Sequence, residues 1–399
     1  MNTQPAMKKI EAVTLEQIIR FDDLLTEDQI MMRDSVRSFV RTKFLPVVEK
    51  HFNAETFPSE LIPEIASMGL LGAGLEGYGC AGLDPISYGL VLHELEYGDG
   101  GLRSFVSVQG SLAMFAIWKF GSEEQKKKWL PEMAAGRVLG CFGLTEPDAG
   151  SDPGAMRTRA EKIPGGYRIS GAKMWITSSP VSKVAVVWAK IGEGPDSIRG
   201  FIVERDRKGF ATPHTKNKYS LRASVTGEIT LDKVEVPEEN LLPLSKGLGS
   251  PLACLNNARY GISWGVCGAA RACLDASIDY TKNRVAFGVP IAKKQLVQEK
   301  LVHMATGIST GMMLSWRAGK LKEEGKLTPY MVSMAKRHNC AMALEAARMS
   351  RALHGGNGIM AEYPVIRHML NLESVYTYEG THEVHTLILG RGLTGEDAF

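Results

Sequence analysis

Tyr167-Arg168-Ile169-Ser170-Gly171 and, one residue later, Lys173-Met174-Trp175-Ile176-Thr177 read as extended chain. Aromatic and β-branched side chains recur there without a helical period. This stretch decides the fold because it sits between two long regions of helical texture. Its neighbours agree with it. Val184 to Trp188 is a short apolar run of a buried strand, and Gly200-Phe201-Ile202-Val203 and Glu228-Ile229-Thr230-Leu231 read the same way. Pro and Gly clusters punctuate these runs.

Upstream, Thr26-Glu27-Asp28 opens a helix in which Ile30, Met31, Val36, Phe39 and Val40 fall near helical spacing. Ser122-Glu123-Glu124-Gln125 is a capping start for another helix, ending near Gly136. Downstream, Tyr260 to Tyr280 is rich in Ala, Gly and Leu, and Pro290 to Glu324 and Pro329 to Leu353 are long and amphipathic. Helices, a small sheet, then helices again imply an α+β chain and argue against a doubly wound parallel sheet. The expected units are an N-terminal helical domain over 1–140, a middle β domain over 141–245 and a C-terminal helical bundle over 246–399.

Composition narrows the function. The 399 residues carry a formal net charge of +3, from 47 basic and 44 acidic side chains, so nothing points to nucleic acid or an anionic membrane. No apolar run is long enough to span a bilayer, and the start has no signal-peptide segment. The six cysteines form no Cys-x-x-Cys pair, which speaks for a reducing compartment rather than zinc or disulfides. The bacterial cytoplasm is the expected location, or the mitochondrial matrix for a eukaryotic chain.

Three motifs are decoys. Gly72-Ala73-Gly74-Leu75-Glu76-Gly77 matches G-x-G-x-x-G, but the helical stretch Leu61 to Leu70 precedes it where a dinucleotide site needs a strand. His382-Glu383-Val384-His385 is one residue short of the zinc motif, and no third ligand presents itself, so no metal is expected. No G-x-S-x-G elbow anchors a hydrolase triad.

Five segments taken together resemble the acyl-CoA dehydrogenase family from about residue 25 to the C-terminus. They are Cys141 to Asp152 (CFGLTEPDAGSD), Trp175-Ile176-Thr177, Arg284-Val285-Ala286-Phe287-Gly288 with Gln295, Leu353-His354-Gly355-Gly356-Asn357-Gly358, and Tyr378-Glu379-Gly380-Thr381. Within the family the chain is similar to the glutaryl-CoA dehydrogenases, through Glu94-Leu95-Glu96, Leu102-Arg103-Ser104, Ser220 to Ser224 and Leu255 to Gly261.

The resemblance implies FAD as cofactor and a homotetramer in which the flavin touches a neighbouring subunit. It assigns to the flavin Phe142, Leu144, Thr145, Gly150 and Ser151 of the loop, then Trp175, Ile176 and Thr177. It adds Arg284, Phe287 and Gln295 for the phosphates and adenosine, and Ala352, Leu353, His354, Gly355, Gly356, Thr381 and Glu383. An Arg fork suits a pyrophosphate, and a Gly pair permits close approach of a dinucleotide. Standing alone, these segments would be a loop entering a sheet, a strand with one buried tryptophan, a surface salt bridge and a helix C-cap.

Glu379 is the implied catalytic base. A carboxylate removes the weakly acidic α-proton of an acyl thioester when the carbonyl is polarised in a water-poor site, and in the family hydride leaves the β-carbon for the flavin. A lone Glu before a helix would otherwise be a helix-dipole partner. Arg103 and Ser104 resemble the pair that meets the far carboxylate of glutaryl-CoA, with Glu96 and Tyr378 beside them. Ser151, Leu252, Asn256, Arg259 and Gly380 resemble other acyl-CoA contacts. Arg103 and Glu96 could equally form a purely structural ion pair.

The implied reaction is oxidative decarboxylation of glutaryl-CoA to crotonyl-CoA, with electrons passed to electron transfer flavoprotein. A non-decarboxylating dehydrogenase, a short-chain acyl-CoA oxidase, and a non-redox acyl-CoA binder or lyase on the same scaffold are the alternatives. The chain departs from the family's usual Glu-Arg-Val-Asp-Ser-Gly with Glu96-Tyr97-Gly98-Asp99-Gly100-Gly101. It also has Gly110 where Ser is usual and Ser178 where Asn is common. These departures bear on the acyl pocket rather than on the flavin.

Overall fold

The computed structural model describes residues 11–398. Eight helices come first: α1 (Leu15–Ile19), α2 (Glu27–Phe39), α3 (Leu45–Ala54), α4 (Ile62–Ser67), α5 (Pro85–Gly98), α6 (Gly100–Ser107), α7 (Phe115–Phe120) and α8 (Glu123–Ala134). The expected starts are where the caps are. Thr26 and Gln29 close a capping box on α2, as Ser122 and Gln125 do on α8. Two π-turns, Val40–Phe44 and Val108–Met114, carry α2 into α3 and α6 into α7 without a loop. Such a bulge lets a helix change course while keeping its backbone bonded.

The helix expected over Leu61 to Leu70 is shorter, because positive φ at Gly69 and Gly72 turns the chain away after α4. Gly72 therefore sits in a turn. A Cβ on Gly110 would lie 3.1 Å from its backbone nitrogen, so the two glycines mark a close crossing.

Seven strands form the middle sheet: β1 (Gly140–Gly143), β2 (Arg159–Ile163), β3 (Gly166–Thr177), β4 (Val184–Lys190), β5 (Ile198–Glu204), β6 (Phe210–Ala211) and β7 (Thr226–Pro237). The order is β1-β4-β2-β3-β7-β6, with β5 also on β4. The β1–β4 pair is parallel; β2–β3, β3–β7 and β4–β5 are antiparallel. β4 is buried along almost its whole length, matching its unbroken apolar run.

The rest is α9 (Gly249–Asn283), a short hairpin of β8 (Val285–Ala286) and β9 (Val289–Pro290), then α10 (Gln295–Glu323), α11 (Pro329–Leu353), α12 (Pro364–Thr377) and α13 (His382–Thr394). The two helical regions are knitted along α5 and α9. Side chains built on Gly89, Gly261, Gly265 and Gly268 would collide with Trp264, Leu92, Glu96 and the His93 carbonyl respectively. Small residues let these two backbones approach closely enough for Glu96 to lie beneath α9.

Charge also ties the N-terminal helices down. Glu94 on α5 is buried and accepts from Arg37 of α2 at 2.9 and 3.1 Å, and it meets His93 at 3.1 Å. Burial pushes its carboxyl up, but His93 and Arg37 together hold it at about 2. A depressed carboxyl contributes stability above its unfolded value of about 4.5, and that stability is lost as pH falls towards 2. Glu94→Gln is therefore expected to cost about 3 kcal/mol at pH 7. It should also flatten the decline of stability below pH 4.5, as read by denaturant unfolding across pH.

Candidate active site

Between α12 and α13 the chain makes a tight turn through Tyr378, Glu379 and Gly380. Thr381 caps α13, its Oγ1 accepting from Val384 N at 3.2 Å. Glu379 has φ 52° and Gly380 φ 94°. For a non-glycine residue the left-handed region costs about 1–3 kcal/mol and persists only when surroundings impose it.

The surroundings here are two buried cations. Lys336 of α11 donates its Nζ to the carbonyls of Tyr378 and Gly380, both at 2.7 Å. Arg259 of α9 donates Nε to the Glu379 carbonyl at 2.6 Å and Nη1 to Asn256 at 3.1 Å. Three successive carbonyls are thus each held by a positive charge. The Glu379 carboxylate oxygen Oε2 is out of solvent and has no hydrogen-bond partner among the described residues. Its pKa is raised by burial, partly countered by Arg103, Lys336 and Arg259.

Beside it lies a second buried group. Arg103 of α6 donates Nε to Glu96 at 2.7 Å and Nη2 to the Tyr378 hydroxyl, while Nη1 has no partner among the described residues. The guanidinium also sits over the Tyr378 ring at 5.7 Å, and Ser104 Oγ is 3.5 Å from the same hydroxyl. Burial pushes the Glu96 carboxyl up although Arg103 opposes this, and its Oε1 is orphaned.

α6 is aimed by Asp99, which takes hydrogen bonds from Gly101 N at 2.6 Å, Arg367 at 2.7 Å and Asn371 at 2.8 Å. The unusual glycines, Gly98 and Gly100, are used for packing, and a Cβ on Gly98 would meet Val40 at 2.9 Å. A Cβ on Gly101 would press on the Ala223 carbonyl at 2.5 Å, and one on Gly100 would meet Leu221 at 3.1 Å.

The residues expected to face a flavin are largely open. Phe142 and Leu144 are buried where β1 ends, and Gly150 and Ser151 are exposed beyond them. The loop between is held by buried Glu146, which accepts from Lys173 at 2.8 Å and from Thr158 N at 3.0 Å. Trp175 is not the buried tryptophan of an ordinary strand. It sits in a register shift of β3 at φ 61° and is 57% exposed, between Ile176, which is buried, and Met174. Thr177 is half-buried.

Arg284 forms no ion pair with any described residue, so it is not a surface salt bridge. Phe287, at the tip of the β8–β9 hairpin with φ 53°, is 95% exposed. Gln295, Ala352, Gly355, Gly356 and Glu383 are exposed, and nothing lies within 4 Å of a Cβ built on Gly355 or Gly356. Buried beside that pair, His354 stacks on Tyr280 and keeps Nε2 unpartnered. An unpaired arginine, an open Gly pair and an orphaned imidazole nitrogen fit a dinucleotide.

The structure thus gathers Glu96, Arg103, Ser104, Asn256, Arg259, Tyr378, Glu379 and Gly380 into one cluster, with Leu252 one turn before Asn256 on α9. No hydrogen bond or ion pair among the described residues joins Arg284, Phe287 or Gln295 to it. Lys336 is the member that sequence reasoning did not single out. Its signal was available, since it lies on the apolar face of α11 with Val332, Ala335, Asn339, Cys340 and Ala343. His382 stacks on Tyr376 and His385 is buried against Ser333 at 3.0 Å, so both have partners inside the protein. A cavity between α1, α2, α5, α9 and α10 lies apart from this cluster, and Glu16, Asp22, Arg33, Arg37, Glu94 and Arg271 on its wall already pair with one another or with adjoining charges.

Comparison with known proteins gives the class. Family models match over residues 26–137 (acyl-CoA dehydrogenase, N-terminal domain), 141–234 (middle domain) and 245–394 (C-terminal domain). An acyl-CoA dehydrogenase of Bacillus subtilis (strain 168) is 38% identical over 93% of this chain and 99% of its own. A glutaryl-CoA dehydrogenase from Mycobacterium smegmatis in complex with FADH2 is 49% identical, with a TM-score of 0.95 over 96% of this chain and 99% of that one. Butyryl-CoA dehydrogenase from Megasphaera elsdenii is 34% identical, with a TM-score of 0.89 over 92% and 98%. The chain belongs to the acyl-CoA dehydrogenase family. It is an FAD-dependent enzyme acting on an acyl-CoA.

A Cβ on Gly380 would come within 2.9 Å of His385 Nε2 and 3.2 Å of Arg259 Nη2, at a φ that L residues avoid. Gly380→Ala is expected to displace Arg259 from the Glu379 carbonyl. Turnover of the best acyl-CoA should fall about 100-fold, measured by steady-state kinetics on protein that retains its flavin absorbance.

Proposed function

We propose that the protein catalyses the oxidative decarboxylation of glutaryl-CoA to crotonyl-CoA and carbon dioxide. The observation that carries this is Arg103, buried beside Glu379 with one guanidinium nitrogen, Nη1, unengaged. A thioester whose α-carbon lies against Glu379 brings a γ-carboxylate towards that nitrogen. An apolar acyl chain would leave that nitrogen unpaired, Glu96 being bonded to Nε.

Glu379 Oε2 is the base that takes the α-proton. Burial serves this role, because a desolvated carboxylate with no partner is more basic than one in water. The Glu379 backbone N–H donates to no described group, so it is free to polarise the thioester carbonyl. Bound FAD supplies the acceptor for the β-hydride. Carbon dioxide then leaves the γ-carbon, its bonding pair passing into the conjugated thioester, and Glu379 returns its proton at the γ-carbon.

Ser151, Leu252, Asn256, Arg259 and Gly380 line the acyl-CoA path in this reading, and Ser104 and Tyr378 orient Arg103. Phe142, Leu144, Thr145, Gly150, Ser151, Trp175, Ile176, Thr177, Ala352, Leu353, His354, Gly355, Gly356, Thr381 and Glu383 hold the FAD. Arg284, Phe287 and Gln295 reach it from a neighbouring subunit of a homotetramer. The guanidinium of Arg284, without an ion pair among the described residues, and the exposed ring of Phe287, with Lys294 Nζ over it at 5.8 Å, support that assignment. Electron transfer flavoprotein is the acceptor and the bacterial cytoplasm the location. The bulged, exposed Trp175 keeps the flavin-facing strand accessible to such an acceptor. A second reading, oxidation of an unbranched short acyl group without decarboxylation, is favoured by the 2.7 Å Glu96–Arg103 pair, which neutralises part of the arginine's charge.

The deciding experiment is an anaerobic panel of acyl-CoAs with mass detection of products. Glutaryl-CoA is expected to give crotonyl-CoA and one equivalent of carbon dioxide. Accumulation of glutaconyl-CoA, or a preference for butyryl-CoA, overturns the reading. Glu379→Gln should lower kcat by about 10²–10⁴-fold. Arg103→Ala should cost glutaryl-CoA about 10²-fold in kcat/KM while leaving butyryl-CoA much less affected, since only the former loses a charge-assisted partner.

A further inference from the structure

We propose that Lys336 is a positioning residue for the base, its ammonium bridging the carbonyls on either side of Glu379 and so setting both the direction and the basicity of that carboxylate. This rests on Glu379 being the base. The ammonium is buried, donates to Tyr378 O and Gly380 O at 2.7 Å each, and has no carboxylate partner in an ion pair among the described residues. It also lies over the Tyr378 ring at 5.9 Å.

A buried cation without a counter-ion is costly unless something requires it. Here the bridge spans the residue with φ 52°, and two outward carbonyls drawn to one point close the turn around Glu379. Arg259 fixes the middle carbonyl from another helix, so the turn is held from both α9 and α11. A methionine would fill the same space and leave two carbonyls without donors.

The same charge acts on the carboxylate. Groups facing Glu379 and Lys336 are Arg103 from α6, Glu96 and Tyr88 from α5, Arg259 from α9, Cys340 from α11, Tyr378 from the turn, and His382 and His385 from α13. Burial pulls the Lys336 pKa down to about 8, with Glu379 among the groups that hold it up. Removing a positive charge disfavours ionised Glu379, so the base must then titrate at a higher pH. Loss of the Lys336 proton above pH 8 in the native enzyme acts in the same direction.

The test compares the native holoenzyme with Lys336→Met, Lys336→Arg and Glu379→Gln. The measurements are kcat, KM, the pH profile of kcat/KM, exchange of acyl α-protons with deuterated solvent, and thermal melting of the flavin-loaded protein. Lys336→Met is expected to lose at least about tenfold in kcat and in α-exchange with KM changed less than about threefold. Its acid limb should move up by about one pH unit. Lys336→Arg should restore the limb in part, because the charge returns without the compact geometry. An unshifted acid limb with native kcat in folded, flavin-loaded Lys336→Met overturns the proposal. So does a loss confined to melting temperature, which a purely structural lysine would produce. If Lys336→Met does not fold, Lys336→Arg decides by the same limb. Activity surviving in Glu379→Gln would instead remove the base assignment itself, whatever Lys336 does.

Discussion

Much of this protein depends on a grip of two buried cations on one short turn. Tyr378, Glu379 and Gly380 present three successive carbonyls, and Lys336 and Arg259 take all three. The cations stand on different helices, α11 and α9. The position of the carboxylate is therefore set by how those helices pack on one another and not by the turn's own sequence. α9 in turn is placed by its glycine seam against α5, where Gly265 admits Glu96 and Gly268 admits the His93 carbonyl. The chain of constraint runs from small residues in two helices, through Glu96 and Arg103, to the pocket wall opposite Glu379.

The charge balance of that pocket has a direction. Glu96 and Glu379 face Arg103, Arg259 and Lys336. With Glu379 ionised, one positive charge is in excess. With Glu379 protonated, the excess is two. A buried site tolerates the second state poorly, so a proton taken up by Glu379 would be held against an electrostatic gradient that favours giving it up again. A carboxylate on the substrate would restore the balance. In the proposed oxidative decarboxylation, the same cluster would keep Glu379 ionised to receive the α-proton and would favour the proton's return once the substrate's carboxylate has left as carbon dioxide.

The sequence was most legible where local rules coincide with the fold. Caps at Thr26 and Ser122, the apolar run of β4, and the Pro329–Leu353 helix appear where hydrogen-bonding and periodicity put them. The Tyr378–Thr381 segment was recognisable as a motif, yet its geometry was not, because positive φ at Glu379 is imposed by residues more than forty positions away. β2 and the β8–β9 hairpin were missed for a similar reason. They are short, and their pairing is decided by partners rather than by their own pattern. Lys336 escaped notice because a lysine in a long amphipathic helix reads as solvent-facing until the apolar positions around it are counted.

The departures from the family's usual pattern at Gly98 and Gly100 bear on the same chain of constraint. They could have been read as a widened acyl pocket. Instead Gly98 lies against Val40 and Phe44 and Gly100 against Leu221 and Asn371, with Leu221 itself at φ 49°, while Gly101, which keeps the usual pattern, lies against the Ala223 carbonyl. These glycines bring α6 close to the Ser220–Ser224 segment and let Asp99 cap it while holding Arg367 and Asn371. A larger residue would lift the start of α6 and with it Arg103. What differs from the usual pattern at Gly98 and Gly100 is thus the footing of the arginine. A change in acyl preference would have to come through a shift in Arg103 relative to Glu379, and the 2.7 Å contact to Glu96 is what resists that shift.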